Sequence, residues 1–128
     1  DLVVIPVQGS ILDANEAAEA IKLIKRTEKG FNRKIDYAIL FTRMPAALVS
    51  RNFVDIARQF SDALIPVLGA NLVEREAFKT MFSTGYALHD LTDAQVSGLS
   101  KAKQDSYALA EAVVDRINEN RKKLMQAA

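Results

Sequence analysis

The chain has 128 residues, enough for one domain with a modest hydrophobic core. With 49% hydrophobic and 26% charged residues, the composition is that of an ordinary soluble domain and excludes a disordered or membrane-embedded chain. The net charge of +1 indicates no particular partner. Because cysteine is absent and His89 is the single histidine, disulfides, thiolate metal sites and multi-histidine zinc sites are excluded as well.

Three short apolar runs predict three strands. They cover residues 2–7, 37–41 and 64–68. Runs without alternating polar positions are typical of strands buried on both faces, as in a parallel sheet. No repeat, low-complexity tract or linker divides the chain, so residues 1–128 are expected to form a single structural unit.

Helical spacing of apolar residues predicts four helices. The first begins at Asp13, which forms a capping-box pattern with Glu16, and it stops near Gly30. The others follow Ser50 to about residue 60, span residues 74–82, and run from Thr92 or Ser100 to about residue 124. The resulting order, β-α-β-α-β-α-α, predicts an α/β fold with a parallel sheet and flanking helices.

The loops at the carboxyl ends of the strands are where ligands bind in open parallel sheets. Three of these loops, residues 7–10, 42–44 and 69–71, carry polar side chains that could line a pocket. Small polar residues also make tight turns, and spacing does not separate the two interpretations. The sequence contains no GxxxxGK[ST] phosphate loop, no GxGxxG motif and no recognisable catalytic set, so no catalytic or metal-binding residue is predicted.

Basic residues cluster near the end of the last predicted helix. Arg121, Lys122 and Lys123 are consecutive, and Lys101 and Lys103 precede them on the same stretch. Such a cluster either binds phosphates or forms a solvated helix end that offsets the helix dipole.

Three segments resemble the ParA/MinD family of partitioning ATPases. Residues 1–13 (DLVVIPVQGSILD) resemble the family's strand that follows the second acidic phosphate-site motif. Residues 37–43 (YAILFTR) are similar to the strand that carries the base-recognition turn, and residues 71–85 to the R-x-x-x-x-E-A-x-x-x-G region. The order and spacing agree along essentially the whole chain, which looks most like plasmid ParA and VirC-type proteins.

The resemblance implies the C-terminal part of a single ParA-like domain with an incomplete P-loop NTPase fold, whose N-terminal phosphate-binding half is missing. It implies that the full-length protein binds ATP and Mg²⁺, hydrolyses ATP, forms a homodimer, binds DNA non-specifically and meets a ParB-like partner. The 128-residue chain alone is expected to be inactive and to hold no cofactor. A cytoplasmic location without membrane contact is expected too.

By the same resemblance, Thr42, Arg43 and Asn71 contact the adenine base, and Arg121, Lys122 and Lys123 contact DNA. Thr42 stands where many relatives have Asn or Asp, and residues 69–70 (Gly-Ala) replace a Pro-Arg pair. The alternative interpretation is a non-enzymatic α/β module that binds a protein or a small ligand.

Overall fold

Two parallel strands form the centre of the computed structural model, which describes residues 1–127. β1 (Val3–Val7) and β2 (Tyr37–Phe41) pair in register, from Val3 opposite Tyr37 to Val7 opposite Phe41. Val3 donates its N–H to the Asp36 carbonyl, and the Val7 carbonyl accepts from the Thr42 N–H, so the backbone groups of alternate β1 residues point towards β2. The backbone nitrogen of Pro6 points away from β2, to the other edge of β1, where a residue without an N–H is tolerated.

The four predicted helices are confirmed within the described residues. They are α1 (Ile11–Phe31), α2 (Arg51–Asp62), α3 (Glu76–Thr84) and α4 (Leu99–Ala127), with a short 3-10 turn at Leu88–Asp90. Gly98, at φ 70°, lies just before α4, so the last helix begins beside Ser100 and not at Thr92.

The ends of α1 differ from the prediction. Ser10 is the cap: its Oγ accepts from the Asp13 N–H at 3.2 Å and donates to the Asp13 carboxylate at 2.8 Å. The helix ends one residue after Gly30, and Asn32 takes the left-handed conformation at φ 47° that closes it. The predicted cap of α2 at Ser50 is confirmed.

The third predicted strand, residues 64–68, is wrong as a continuous strand. Only Val67 forms a parallel bridge, opposite Ile39, which donates to the Pro66 carbonyl and accepts from Leu68, both at 2.8 Å. Pro66 has no N–H to offer a ladder, and Leu64 is in the left-handed region at φ 55°. The segment therefore runs parallel beside β2 without extending the sheet, and the regular elements read β-α-β-α-α-α.

Helices cover both faces of β2. Ile39 and Phe41 pack into the core formed with α1 and α2, whereas Ala38 and Leu40 pack against the α4 side. Four of the five β2 residues are buried, as the uninterrupted apolar run predicts. This alternation places α1 and α2 in one layer and α4 in the other, which confirms an α/β fold with a parallel sheet.

A smaller cluster joins α3 to the start of α4. It is built from buried apolar side chains of α3, the 3-10 turn and α4: Ala77, Leu88, Leu91, Val96, Leu99 and Ala102. Among residues 1–127, no helix is both long and apolar enough to cross a membrane.

Candidate nucleotide-binding site and basic helix end

Backbone hydrogen bonds on both sides fix the loop after β2. Thr42 donates its N–H to Val7 at 2.9 Å, and Met44 donates to Leu72 at 3.0 Å. Arg43, between them, is left-handed at φ 51°, a conformation that costs a non-glycine residue about 1–3 kcal/mol unless its surroundings hold it. The two flanking bonds hold it here, and the Arg43 side chain is exposed.

The next loop, residues 69–75, runs alongside. Leu72 donates its N–H to Phe41 at 2.9 Å, and Glu74 donates to Met44 at 2.8 Å. A cavity of about 230 Å³ lies between the two loops and α3. Its lining residues are Thr42, Arg43, Leu72, Val73, Glu74, Arg75, Phe78, Lys79 and Phe82.

The cavity brings together two of the three residues predicted to contact a base. Thr42 is half-buried at its wall and Arg43 is exposed at its rim. Asn71 is exposed and is not among the lining residues. Arg75, to which the sequence analysis assigned no role, also lines the cavity.

Most charges in this cavity are already paired. The Arg75 Nε lies 2.5 Å from Asp105 of α4, and both side chains are about four-fifths buried. Lys79 lies 3.0 Å from Glu76, and this hydrogen bond, with the nearby Glu74 at 3.5 Å, raises the pKa of the Lys79 ammonium. No local pattern predicts the Arg75–Asp105 pair, because 30 residues separate the two partners.

The size and chemistry of the cavity suit part of a ligand. Its volume lies below the ~300–1,000 Å³ typical of sites for drug-sized molecules. Leu72 and Phe78 offer apolar walls for a planar ring, and Thr42 and Arg43 offer hydrogen-bond donors. Residues 1–127 contain no group of three His, Cys, Asp or Glu side chains placed to hold a metal ion.

The three residues predicted to contact DNA lie on the last turns of α4. Arg121, Lys122 and Lys123 are all exposed, and none has an ion pair within the described part of the chain. Lys101 and Arg121 are about 30 Å apart along the helix and about 200° apart around it, so no single straight stripe contains both. Lys103, in the second turn of α4, is half-buried.

An ion pair anchors α4 on the sheet. Arg116 donates Nε and Nη2 to the two carboxylate oxygens of Asp36, at 3.1 and 2.5 Å. Asp36 immediately precedes β2, and both side chains are largely buried. Leu109 and Val113 pack against the same face of the sheet. The basic end of α4 is therefore held next to the start of β2.

Comparison with known proteins identifies the family. The model of the VirC1 protein family matches residues 1–125. Protein ParA of Rhizobium radiobacter is 30% identical over 119 residues, which are 93% of this chain and 53% of that protein. The chain thus spans about half the length of the curated relative that it matches. The chain belongs to the VirC1 family, a family of ParA-like partitioning ATPases.

Proposed function

We propose that this chain is the C-terminal segment of a ParA-like ATPase that partitions or positions DNA, using ATP-dependent dimerisation and non-specific DNA binding. The observation that carries the proposal is the family match, which covers residues 1–125. A partition-related role follows from the family, and the two surfaces described above suit the base and DNA contacts.

The cavity between the loop after β2, residues 69–75 and α3 would hold the adenine base. Thr42 and Arg43 would donate hydrogen bonds to ring nitrogens, and Leu72 and Phe78 would pack on the ring faces. Asn71, exposed on the adjoining loop, would contact the nucleotide from outside the cavity.

The phosphates and Mg²⁺ would be held by other residues of the complete protein. The 128 residues contain no phosphate loop, and residues 1–127 contain no candidate metal ligands in a group. Phosphoryl transfer depends on electrostatic positioning by the phosphate loop and the metal. The 128-residue chain by itself should therefore not hydrolyse ATP, and its base-side contacts would act only together with the phosphate-binding residues of the complete protein.

Arg121, Lys122 and Lys123 would supply phosphate contacts to DNA, and a ParB-like partner would regulate hydrolysis. The DNA contacts would be independent of sequence, since lysine and arginine at a helix end read the backbone and not base edges.

Nucleotide titration of the protein from its complete reading frame tests the base contact. Arg43→Ala should weaken ADP binding about tenfold, equal to ~1.4 kcal/mol, because a charged donor is lost. The matched control is Arg58→Ala, which removes an exposed arginine of α2 that is paired with Asp55. Equal affinities for wild type and Arg43→Ala would remove Arg43 from the site.

DNA binding is tested by a salt titration with ATP present. The slope of log affinity against log salt is negative. Replacing Arg121, Lys122 and Lys123 together by alanine should make it less steep by about 2.7, at ~0.9 per phosphate contact. A protein that binds neither ATP nor DNA would instead support the non-enzymatic module.

A further inference from the structure

Two distant basic segments meet at the edge of the sheet where β1 and β2 begin. α1 and α4 both end at this edge, and a cavity of about 300 Å³ lies between their ends. Arg33 and Lys34, which follow α1, line it together with Asn120 and Leu124 of α4. Asn120 and Leu124 directly flank the basic run 121–123, so the fold adds two cations to that run.

The acidic groups at this edge are largely occupied. Glu28 accepts from the Ile35 N–H at 3.0 Å and from Lys25 at 3.3 Å. Asp36 is bound to Arg116. Asp1 lies 3.6 Å from Arg33, but their side chains are 98% and 69% exposed, and pairs of that kind contribute little. Positive charge is therefore in excess here.

On α4, Lys122 lies about 180° from the face that carries Asn120 and Leu124, whereas Arg121 and Lys123 lie about 80° to either side of it. We propose that Arg33 and Lys34 form one surface with Arg121 and Lys123, and that this surface binds the phosphate backbone of double-stranded DNA. This inference rests on the proposed function and adds two residues and a location to it. Because these four cations come from two helix ends, they spread over the protein edge and reach several phosphates at once. Duplex DNA presents about one charge per 1.7 Å of its axis, so it meets such a spread without a fixed register.

An acidic membrane is the competing ligand, because Phe31 and Met125 are exposed beside these cations. Membrane-surface binding requires a continuous apolar face. The segment between α1 and β2 is polar from Asn32 to Lys34 and interrupts the apolar surface at this edge, which favours DNA. A second alternative is that the cations only offset the negative ends of the α1 and α4 dipoles.

The test is a salt titration of random-sequence duplex DNA binding, with ATP, by the protein from its complete reading frame. Changing Arg33 and Lys34 to glutamine should make the slope of log affinity against log salt less steep by about 1.8, at ~0.9 for each lost contact. The matched control changes Lys22 and Arg58 to glutamine; both are exposed and paired with an acid three residues away. The control should keep the wild-type slope.

The other outcomes of this titration distinguish a failure of the Arg33/Lys34 surface from a failure of the proposed function. If the wild type binds DNA and the Arg33/Lys34 variant keeps its slope, the inference is overturned and the proposed function stands. If the wild type binds no DNA, the proposed function fails first. Loss of phosphatidylglycerol-vesicle binding with unchanged DNA binding would assign the surface to membrane.

Lysine acetylation of the wild type gives the same answer without any variant that has to fold. Bound DNA should protect Lys34 and Lys123 from acetylation, and it should leave Lys22 reactive. Equal reactivity of Lys34 with and without DNA would overturn the proposal.

Discussion

The two edges of the small parallel sheet are built in different ways. At the carboxyl edge, main-chain hydrogen bonds join the loop after β2 to the end of β1 and to residues 69–75, and most charges are paired. At the amino edge, the ends of α1 and α4 present lysines and arginines to solvent beyond one anchoring pair, Asp36–Arg116.

Under the proposed function, the two edges would serve two kinds of recognition. A loop held by its backbone keeps donor atoms at fixed positions, which recognition of one base requires. Charges at the tips of long side chains have no fixed geometry, which suits a ligand that offers equivalent phosphates in every register. The predictions below disturb first one edge and then the other.

The largest expected effect is at the carboxyl edge, from Phe41→Ala. Phe41 is 2% exposed, and its ring packs edge-on against Phe53 at 4.7 Å between centroids. The cavity left behind should lower the free energy of unfolding by about 3–5 kcal/mol. Urea denaturation measures it, with the exposed Phe82→Ala as control. A loss below ~1 kcal/mol would mean that this core does not support the loops.

The next effect is at the amino edge, from Asp36→Ala. Arg116 is then left largely buried without its carboxylate, which should cost about 2 kcal/mol of unfolding free energy. Adding Arg116→Met should recover part of the loss, since no charge remains unpartnered. The double-mutant cycle by urea denaturation checks this, and strict additivity of the two changes would show that the pair does not anchor α4.

A smaller effect is expected from the α1 cap at the carboxyl edge. Ser10→Ala removes both hydrogen bonds to Asp13 and should cost about 1 kcal/mol. Thermal unfolding measures the change, and Ser97→Ala, an exposed serine outside the helices, is the control. An unchanged midpoint for Ser10→Ala would show that the cap does not contribute to stability.

The smallest effect depends on pH and lies at the amino edge. The N–H of Ile35 holds the pKa of Glu28 below its ordinary value, so the folded state binds fewer protons than the unfolded state. This stabilises the fold above the ordinary glutamate pKa and disappears as pH falls through the lowered one. Glu28→Gln should lower the melting temperature at about pH 7, and the difference should shrink towards about pH 3.

If the Glu28→Gln difference were equal at both pH values, its hydrogen bond to Ile35 would not depend on the carboxylate charge.

The sequence by itself determined the α/β class, the existence of the helices and two of the strands. It could do so because apolar periodicity and the serine cap of α2 act within a few residues. The family was also readable from three local motifs whose order and spacing persist. The prediction of a third strand was wrong because it relied on the hydrophobicity of residues 64–68 alone. A continuous strand is prevented by Pro66, which has no N–H for the strand hydrogen bonds, and by the left-handed conformation of Leu64.

Only the tertiary structure decided which side chains meet. It placed Arg75 with Asp105 and Asp36 with Arg116, and it brought Arg33 to the end of α4, across 30, 80 and almost 90 residues of chain. Such pairs follow from how helices pack on the sheet and leave no spacing in the sequence. A cavity does lie after β2, where the strand end predicts a pocket, but its lining, without Asn71 and with Arg75, depends on long-range packing.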